Sequence, residues 1–84
     1  MHKISTSASY VQNRDLLDAE AGKRAVLSSI CEQDPAARQV WALLETPQTV
    51  ATLSRRLEDE DVADITASLT KLIREELIQI SPDS

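Results

Sequence analysis

The sequence predicts one small α+β domain, in which a weak N-terminal β-hairpin or three-stranded sheet precedes three helices. Apolar residues recur at helical spacing between residues 34 and 80, whereas residues 10–17 alternate weakly, as in an exposed strand. The chain has 84 residues, a length that supports one domain with a thin hydrophobic core. We therefore expect a single domain over residues 1–84, with loose ends at about 1–9 and 81–84.

The composition indicates an acidic protein with an aliphatic core. Hydrophobic residues make up 42% of the chain, with a single Trp, a single Tyr and no Phe, so Leu, Ile, Val and Ala must fill the core. The apolar runs are far shorter than the roughly 20 residues that span a bilayer, and residues 1–20 lack the apolar segment of a signal peptide. A soluble, cytoplasmic protein without a membrane partner is expected.

Charge and residue types weigh against two functional classes. The net charge is −5, whereas a nucleic-acid binder usually carries an excess of cations, because each phosphate contact needs one. His2, Cys31 and Gly22 are the only residues of their types, which leaves no catalytic triad, metal cluster or Gly-rich phosphate loop. We expect no enzyme activity, cofactor or metal, and we interpret Cys31 as a small half-buried hydrophobe.

Residues 10–33 allow two interpretations, of which the first is a hairpin. The alternation in YVQNRDLL places Tyr10 and Gln12 on one face of a strand, and Val11 and Asn13 on the other. Gly22 suits a loop that needs a positive φ. This interpretation, which we prefer, predicts a hairpin over about residues 10–30 and a short third strand at residues 30–33.

The second interpretation is a helix over residues 18–33, DAEAGKRAVLSSICEQ. It would place Ala21, Ala25, Val26 and Ile30 on one side, with Asp18 as its cap. Ala, Glu and Lys favour this helix, whereas the glycine and the Ser pair do not. The choice between strand and helix stays open from the sequence alone.

Asp34-Pro35 is a clear helix start. Asp is among the preferred N-cap residues, and Pro is preferred at the first helical position, where its missing N–H would have no partner. The first helix of the bundle should run from Pro35 to about Glu45. Its inner face is predicted to carry Ala37, Val40, Trp41 and Leu44. Trp41, the largest apolar side chain, is predicted to be the central core residue.

The second helix is short and follows a turn. TPQT at residues 46–49 offers two capping threonines, and Val50, Leu53 and Leu57 then fall at helical spacing. Four consecutive acids at residues 58–61 come next. They suit the positive end of a following helix dipole.

The third helix is predicted from about Asp61 to Glu76. Its core stripe would be Val62, Ile65, Leu69, Leu72 and Ile73. Its exposed side would carry Asp64, Ala67, Ser68, Lys71 and Glu75. A short extended packing segment with Leu77, Ile78 and Ile80 should follow it.

This order of elements is the outline of a winged helix-turn-helix, in which the start of the last helix enters the major groove of DNA. Here that start carries Asp59, Glu60, Asp61 and Asp64, which repel phosphate at close range. It also lacks the Asn, Gln or Arg side chains suited to paired base contacts. A winged-helix DNA-binding transcription regulator is therefore the alternative hypothesis, and no nucleic-acid partner is expected.

The helical part carries a resemblance to a known family whose pattern is LNPTAARIWELL…G…TVEELA…L. The matching pairs are Asp34-Pro35 for its Asn-Pro, Val40-Trp41 for its Ile-Trp and Thr49-Val50 for its Thr-Val. Over about residues 10–80 the chain resembles the PqqD-like family, the precursor peptide recognition elements of ribosomally made, modified peptides (RiPPs). Their pathways include those of pyrroloquinoline quinone and lasso peptides.

The chain departs from this family at two places. Between Leu27 and Asp34 it has fewer residues than the family's usual second strand, turn and third strand. At Glu76 many relatives have Gly, just before the closing apolar residues. The second departure removes a preferred helix stop.

The resemblance implies a non-enzymatic, stand-alone protein that presents the leader segment of a precursor peptide to a separate leader protease or other modifying enzyme. In that family the leader adds as a strand to the third strand of the N-terminal sheet, in a groove closed on the other side by the third helix. Such addition draws its affinity from backbone hydrogen bonds. Carried over by position, the edge would be Ile30, Cys31, Glu32 and Gln33, and the helix wall would be Asp64, Ala67, Ser68 and Lys71.

Overall fold

Strands and helices interleave along the chain, and the α+β class predicted from the sequence is confirmed. The computed structural model describes residues 7–81, so most of the predicted loose ends, and His2, lie outside the described residues. The elements in chain order are β1 (Ser9–Gln12), α1 (Arg14–Ala19), α2 (Ala21–Gln33), α3 (Pro35–Leu43), β2 (Gln48–Thr49), α4 (Val50–Arg56), α5 (Val62–Arg74) and β3 (Ile78–Ile80). In this part of the chain, no helix is both long and apolar enough to cross a membrane.

The sheet joins distant parts of the chain. Its strand order is β2-β1-β3, and both pairings are antiparallel. Tyr10 of β1 faces Gln48 of β2 on one side and Ile80 of β3 on the other. A three-stranded sheet was one of the predicted forms, but its strands come from the two ends and the middle of the chain rather than from the N-terminal part alone.

The predicted N-terminal hairpin is wrong, because residues 14–33 form helices α1 and α2. The strand alternation ends at Gln12, and the Asn13 side chain caps α1 by accepting a hydrogen bond from the Leu16 N–H at 3.4 Å. Gly22 lies inside α2 without a positive φ, so the predicted glycine loop is also wrong. The helix alternative for residues 18–33 is supported over Ala21–Gln33, where Ala and Lys residues favour it. Its predicted cap is wrong, because Asp18 lies inside α1 and Glu20 separates the two helices.

The remaining helices lie close to their predicted positions. Asp34 caps α3, its carboxylate accepting from the Ala36 N–H at 3.1 Å, and Pro35 occupies the first turn. Thr49 and Thr52 form a capping box at the start of α4. These local signals are independent of tertiary context, which is why the sequence locates the helix starts within one residue.

The core is mostly aliphatic and is shared by the sheet, helix α1 and the three C-terminal helices. Its buried residues are Tyr10, Leu17, Val40, Leu44, Val50, Leu53, Leu57, Ile65, Leu69, Leu72, Leu77 and Ile78. Three predictions of burial are wrong. Trp41 is only half-buried because Val40 and Leu44 occupy the inner face of α3, Val62 is 51% exposed at the first residue of α5, and Ser68 is buried.

Candidate functional site

The four predicted edge residues lie in a helix. Ile30 and Cys31 are half-buried in the last part of α2, and Glu32 and Gln33 are exposed in its final turn. The Ile30 carbonyl already accepts a hydrogen bond from the Asp34 N–H at 2.9 Å. Because a helix uses its own backbone groups, this segment cannot pair with an added strand. The predicted binding edge at residues 30–33 is therefore wrong. The segment between Leu27 and Asp34, which is shorter than in the resembled family, forms the end of α2 and not two strands and a turn.

The predicted helix wall lies on α5, with one residue turned inward. Asp64, Ala67 and Lys71 are exposed, whereas Ser68 is buried. The Ser68 hydroxyl donates to the Asp34 carboxylate at 3.2 Å, and the Lys71 ammonium donates to the same oxygen at 3.1 Å. The structure thus joins part of the predicted wall to the α2–α3 junction, not to the predicted edge.

Asp34 is the residue that ties three helices together. Its partial burial on its own raises the pKa of the carboxyl. Hydrogen bonds from Lys71, Ser68 and the first turn of α3, with the Lys71 charge, outweigh this cost and hold the pKa of Asp34 below its ordinary value. Near it, burial raises the pKa of the Cys31 thiol, an effect that Asp34 adds to and Arg38 opposes. A thiol with a raised pKa is a poor nucleophile at neutral pH.

A shallow cleft separates the start of α3 from α5. Its volume is about 330 Å³, and it is lined by Asp34, Pro35, Glu60, Asp64, Ala67 and Lys71. Three carboxylates face one ammonium group, so the cleft favours cationic side chains over anionic ones. Within residues 7–81, no three His, Cys, Asp or Glu side chains are arranged to hold a metal ion.

The hydrogen bonds between β1 and β3 fix which backbone groups of β3 face outward. The Asn13 N–H donates to the Leu77 carbonyl at 2.9 Å, and the Ser81 N–H donates to the Ser9 carbonyl at 2.8 Å. Leu77 and Ser81 therefore turn their backbone groups toward β1, and so does Gln79 between them. The bond from Ser81 to Ser9 also shows that these two residues, predicted within the loose ends, are held by the sheet.

The other side of β3 is one of the two edges of the sheet, the other being β2, and we call the β3 side the open edge. Alternate residues of an antiparallel strand turn their backbone groups in opposite directions, so the N–H and C=O groups of Ile78 and Ile80 point away from β1. The sheet order leaves that side of β3 without a paired strand among residues 7–81. The sequence predicted an extended packing segment here but missed its edge position, because the partner, β1, lies almost 70 residues away.

The open edge also carries an apolar side chain. Ile78 is buried, whereas Ile80 is 54% exposed and is, with Val62, one of two large exposed hydrophobic residues in the described part of the chain. The strand sequence Ile-Gln-Ile carries no charge. Natural edge strands are commonly protected by charged residues or Pro, so this edge is chemically suited to accept another strand.

Comparison with known proteins gives no further assignment. No protein-family model, curated protein or solved structure matches this chain. The geometry of the β3 edge is therefore the basis for a functional proposal.

Proposed function

We propose that this protein binds an extended peptide by β-strand addition at the free edge of β3. The peptide is the leader segment of a ribosomally made precursor, which the protein presents to a separate leader protease or other modifying enzyme. The observation that carries the proposal is the outward direction of the backbone groups of exposed Ile80 on an uncharged edge strand. No catalytic step is assigned to the chain.

The physical basis is the backbone hydrogen bonding that joins neighbouring strands of a sheet. Ile80, which is 54% exposed, offers one N–H donor and one C=O acceptor, whereas the outward backbone groups of Ile78 are buried with that residue. An added strand lies about 4.8 Å from β3. The exposed Ile80 side chain gives apolar contact with the peptide side chain opposite it on the same face. Backbone bonds supply affinity, and the side-chain contacts supply selectivity.

The arrangement of elements supports the leader class of peptide. We propose that α3, β2, α4, α5 and β3 follow the order of a winged helix, with the N-terminal strand β1 completing the middle of the sheet. The family resemblance implies an edge on the third strand of an N-terminal sheet, with the third helix of the bundle on the other side of the groove. Here the proposed edge is instead the C-terminal strand β3, which directly follows α5, the third helix of that bundle.

Substitutions at Ile80 test this proposal by calorimetry, with leader segments of precursor peptides encoded beside the gene as ligands. Wild-type protein is expected to bind its leader more tightly than about 100 μM. Ile80→Pro removes an outward N–H but no β1 bond, and Pro is tolerated at such edge positions. It should weaken binding at least about tenfold, whereas Ile80→Ala, which keeps the N–H, should weaken it less.

Val62→Ala is the matched control, because Val62 is equally exposed but lies at the start of α5. It should leave binding unchanged, and thermal unfolding should show that all three variants are folded. Binding that Ile80→Pro leaves intact would exclude the β3 edge as the site.

The DNA-binding alternative rests on the same winged-helix order. Its weakness lies at the start of α5, where Asp61 and Asp64 follow the acids at residues 58–60 and all of these carboxylates except that of half-buried Glu60 are exposed. A gel shift with duplex DNA at low salt separates the two functions. We expect no shift; a salt-sensitive shift would instead support the regulator.

A further inference from the structure

A second cleft lies on the N-terminal side of the molecule, between β1, α1, α2 and α3. We call it the Trp41 cleft, and its volume is about 580 Å³. The residues that line it include Gln12, Arg14, Leu17, Arg24, Leu27 and Trp41. Clefts of this volume are in the range of small-ligand sites.

The apolar part of the Trp41 cleft is formed by three side chains. Leu17 is buried, and Leu27 and Trp41 are half-buried against the core. Trp41 carries the largest apolar surface of the chain, yet α3 turns it toward this cleft rather than into the core. A partly exposed indole beside two leucines offers apolar surface suited to contact with another ring.

A buried amide organises the polar part of the Trp41 cleft. Gln12 is only 9% exposed. Its Nε2 donates to the Trp41 carbonyl at 2.8 Å, and its Oε1 accepts from the Arg14 Nε at 3.1 Å. Because both ends of this amide are bonded, Gln12 holds the Arg14 guanidinium beside the backbone of Trp41.

Two arginines line the cleft, and each is held in an exposed ion pair. Arg14 and Arg24 line it with a single acid, Asp18, whereas the chain as a whole carries a net charge of −5. Arg24 pairs with Asp18 at 3.3 Å, and Arg14 pairs with Glu45 at 3.5 Å. All four side chains are exposed, and exposed pairs of this kind contribute little, so a ligand carboxylate can replace either acid.

We propose that the Trp41 cleft is a binding site for an aromatic carboxylate, with the ring on Trp41, Leu17 and Leu27 and the carboxylate on Arg14 and Arg24. Guanidinium groups suit this role, because their fork of donors matches the two oxygens of a carboxylate. The ligand is either a free small acid or an acidic peptide segment with an aromatic residue. Neither source depends on the β3 edge, since none of the cleft residues belongs to β3.

The single tryptophan makes the test direct. Trp41 is the only Trp of the chain, so its fluorescence reports on this cleft alone. Titration of the full-length protein with 3-phenylpropionate should shift the emission to shorter wavelength as water leaves the indole, with half-saturation at about 1 mM or below. The neutral 3-phenylpropanamide should bind about tenfold more weakly, because it lacks the charge.

Two arginine variants and one control locate the carboxylate. Arg14→Gln and Arg24→Gln should each weaken 3-phenylpropionate about tenfold, the loss expected for one charge-assisted hydrogen bond. Both should leave the affinity for the amide nearly unchanged. Arg55→Gln changes an exposed arginine at the end of α4, outside the cleft, and should bind like the wild type.

Acetyl-Asp-Phe-amide distinguishes the two sources of the ligand. Tighter binding of this dipeptide than of 3-phenylpropionate supports a peptide segment as the occupant, and the reverse supports a free acid. The site is overturned if neither probe shifts the emission up to about 10 mM. It is equally overturned if the amide binds as well as the acid, or if both cleft variants bind like the wild type.

Discussion

At the scale of single residues, Asp34 does more than start a helix. Its carboxylate accepts hydrogen bonds from the Ala36 N–H, the buried Ser68 hydroxyl and the exposed Lys71 ammonium. It therefore couples the α2–α3 junction to α5. The sequence predicted the cap from Asp-Pro, but the link to Ser68 depends on how α5 packs, and no local pattern encodes that.

Asp34→Ala should lower the free energy of unfolding by about 2 kcal/mol. The change removes an N-cap, worth about 1 kcal/mol, and leaves the buried Ser68 hydroxyl without its acceptor. Lys71→Ala should cost less than about 1 kcal/mol, because its pair with Asp34 is partly solvated. Denaturant unfolding of both variants measures the difference, and equal losses would contradict this account of Asp34.

The stability that Asp34 contributes should depend on pH in the acid range. Its pKa is lower in the folded protein than in the unfolded chain, so the contribution is present above the ordinary Asp pKa of about 3.9 and is lost as pH falls through the lowered value. Asp34→Asn lacks this titration. Urea unfolding of both proteins from pH 7 to pH 2 should show their difference shrinking with acid; a constant difference would argue against the ion pair.

At the scale of elements, the turn between α5 and β3 determines where the proposed binding edge begins. Glu76 has φ 61°, a left-handed conformation that favours glycine. The Leu77 N–H bonds back to the Leu72 carbonyl, and the Glu76 N–H to the Ile73 carbonyl, which is the Schellman pattern of a helix end. The resemblance to the PqqD-like family predicts Gly at this position in many relatives, and the positive φ of Glu76 is one that glycine adopts without strain.

Glu76→Gly should stabilise the protein by about 0.5–1 kcal/mol, because glycine adopts the required conformation without strain. Glu75 has φ −91°, so Glu75→Gly gains nothing and should destabilise. Thermal unfolding of the two variants side by side is the measurement. A destabilised Glu76→Gly protein would mean that the Glu76 side chain has a role that its backbone conformation does not reveal.

Elements differ in how well the sequence predicts them. The starts of α3 and α4 follow from Asp34-Pro35 and from Thr49, because capping is local. The N-terminal segment was predicted as a hairpin, since Tyr10 to Gln12 does alternate, but Asn13 ends the strand and caps a helix. β1 pairs with β2 and β3, which lie far from it along the chain. No short window of sequence contains these partners, so local patterns do not predict the pairing.

At the scale of the whole molecule, β1 joins the N-terminal part of the chain to its middle and its C-terminal part in one sheet. It is the middle strand, pairing with β2 and β3, and its Tyr10 lies in the core. This arrangement leaves β3 at an edge and leaves Trp41 at a cleft on the N-terminal side. The two proposed sites are therefore consequences of one feature, the insertion of an N-terminal strand between two later ones.

Amide hydrogen exchange of β3, followed by NMR with and without a bound leader peptide, tests the strand-addition proposal most directly. In the free protein the Gln79 amide, which faces β1, should exchange slowly, whereas the outward Ile80 amide should exchange fast. Bound peptide should slow the exchange of the Ile80 amide. Peptide binding that leaves this amide as fast as in the free protein would contradict strand addition at this edge.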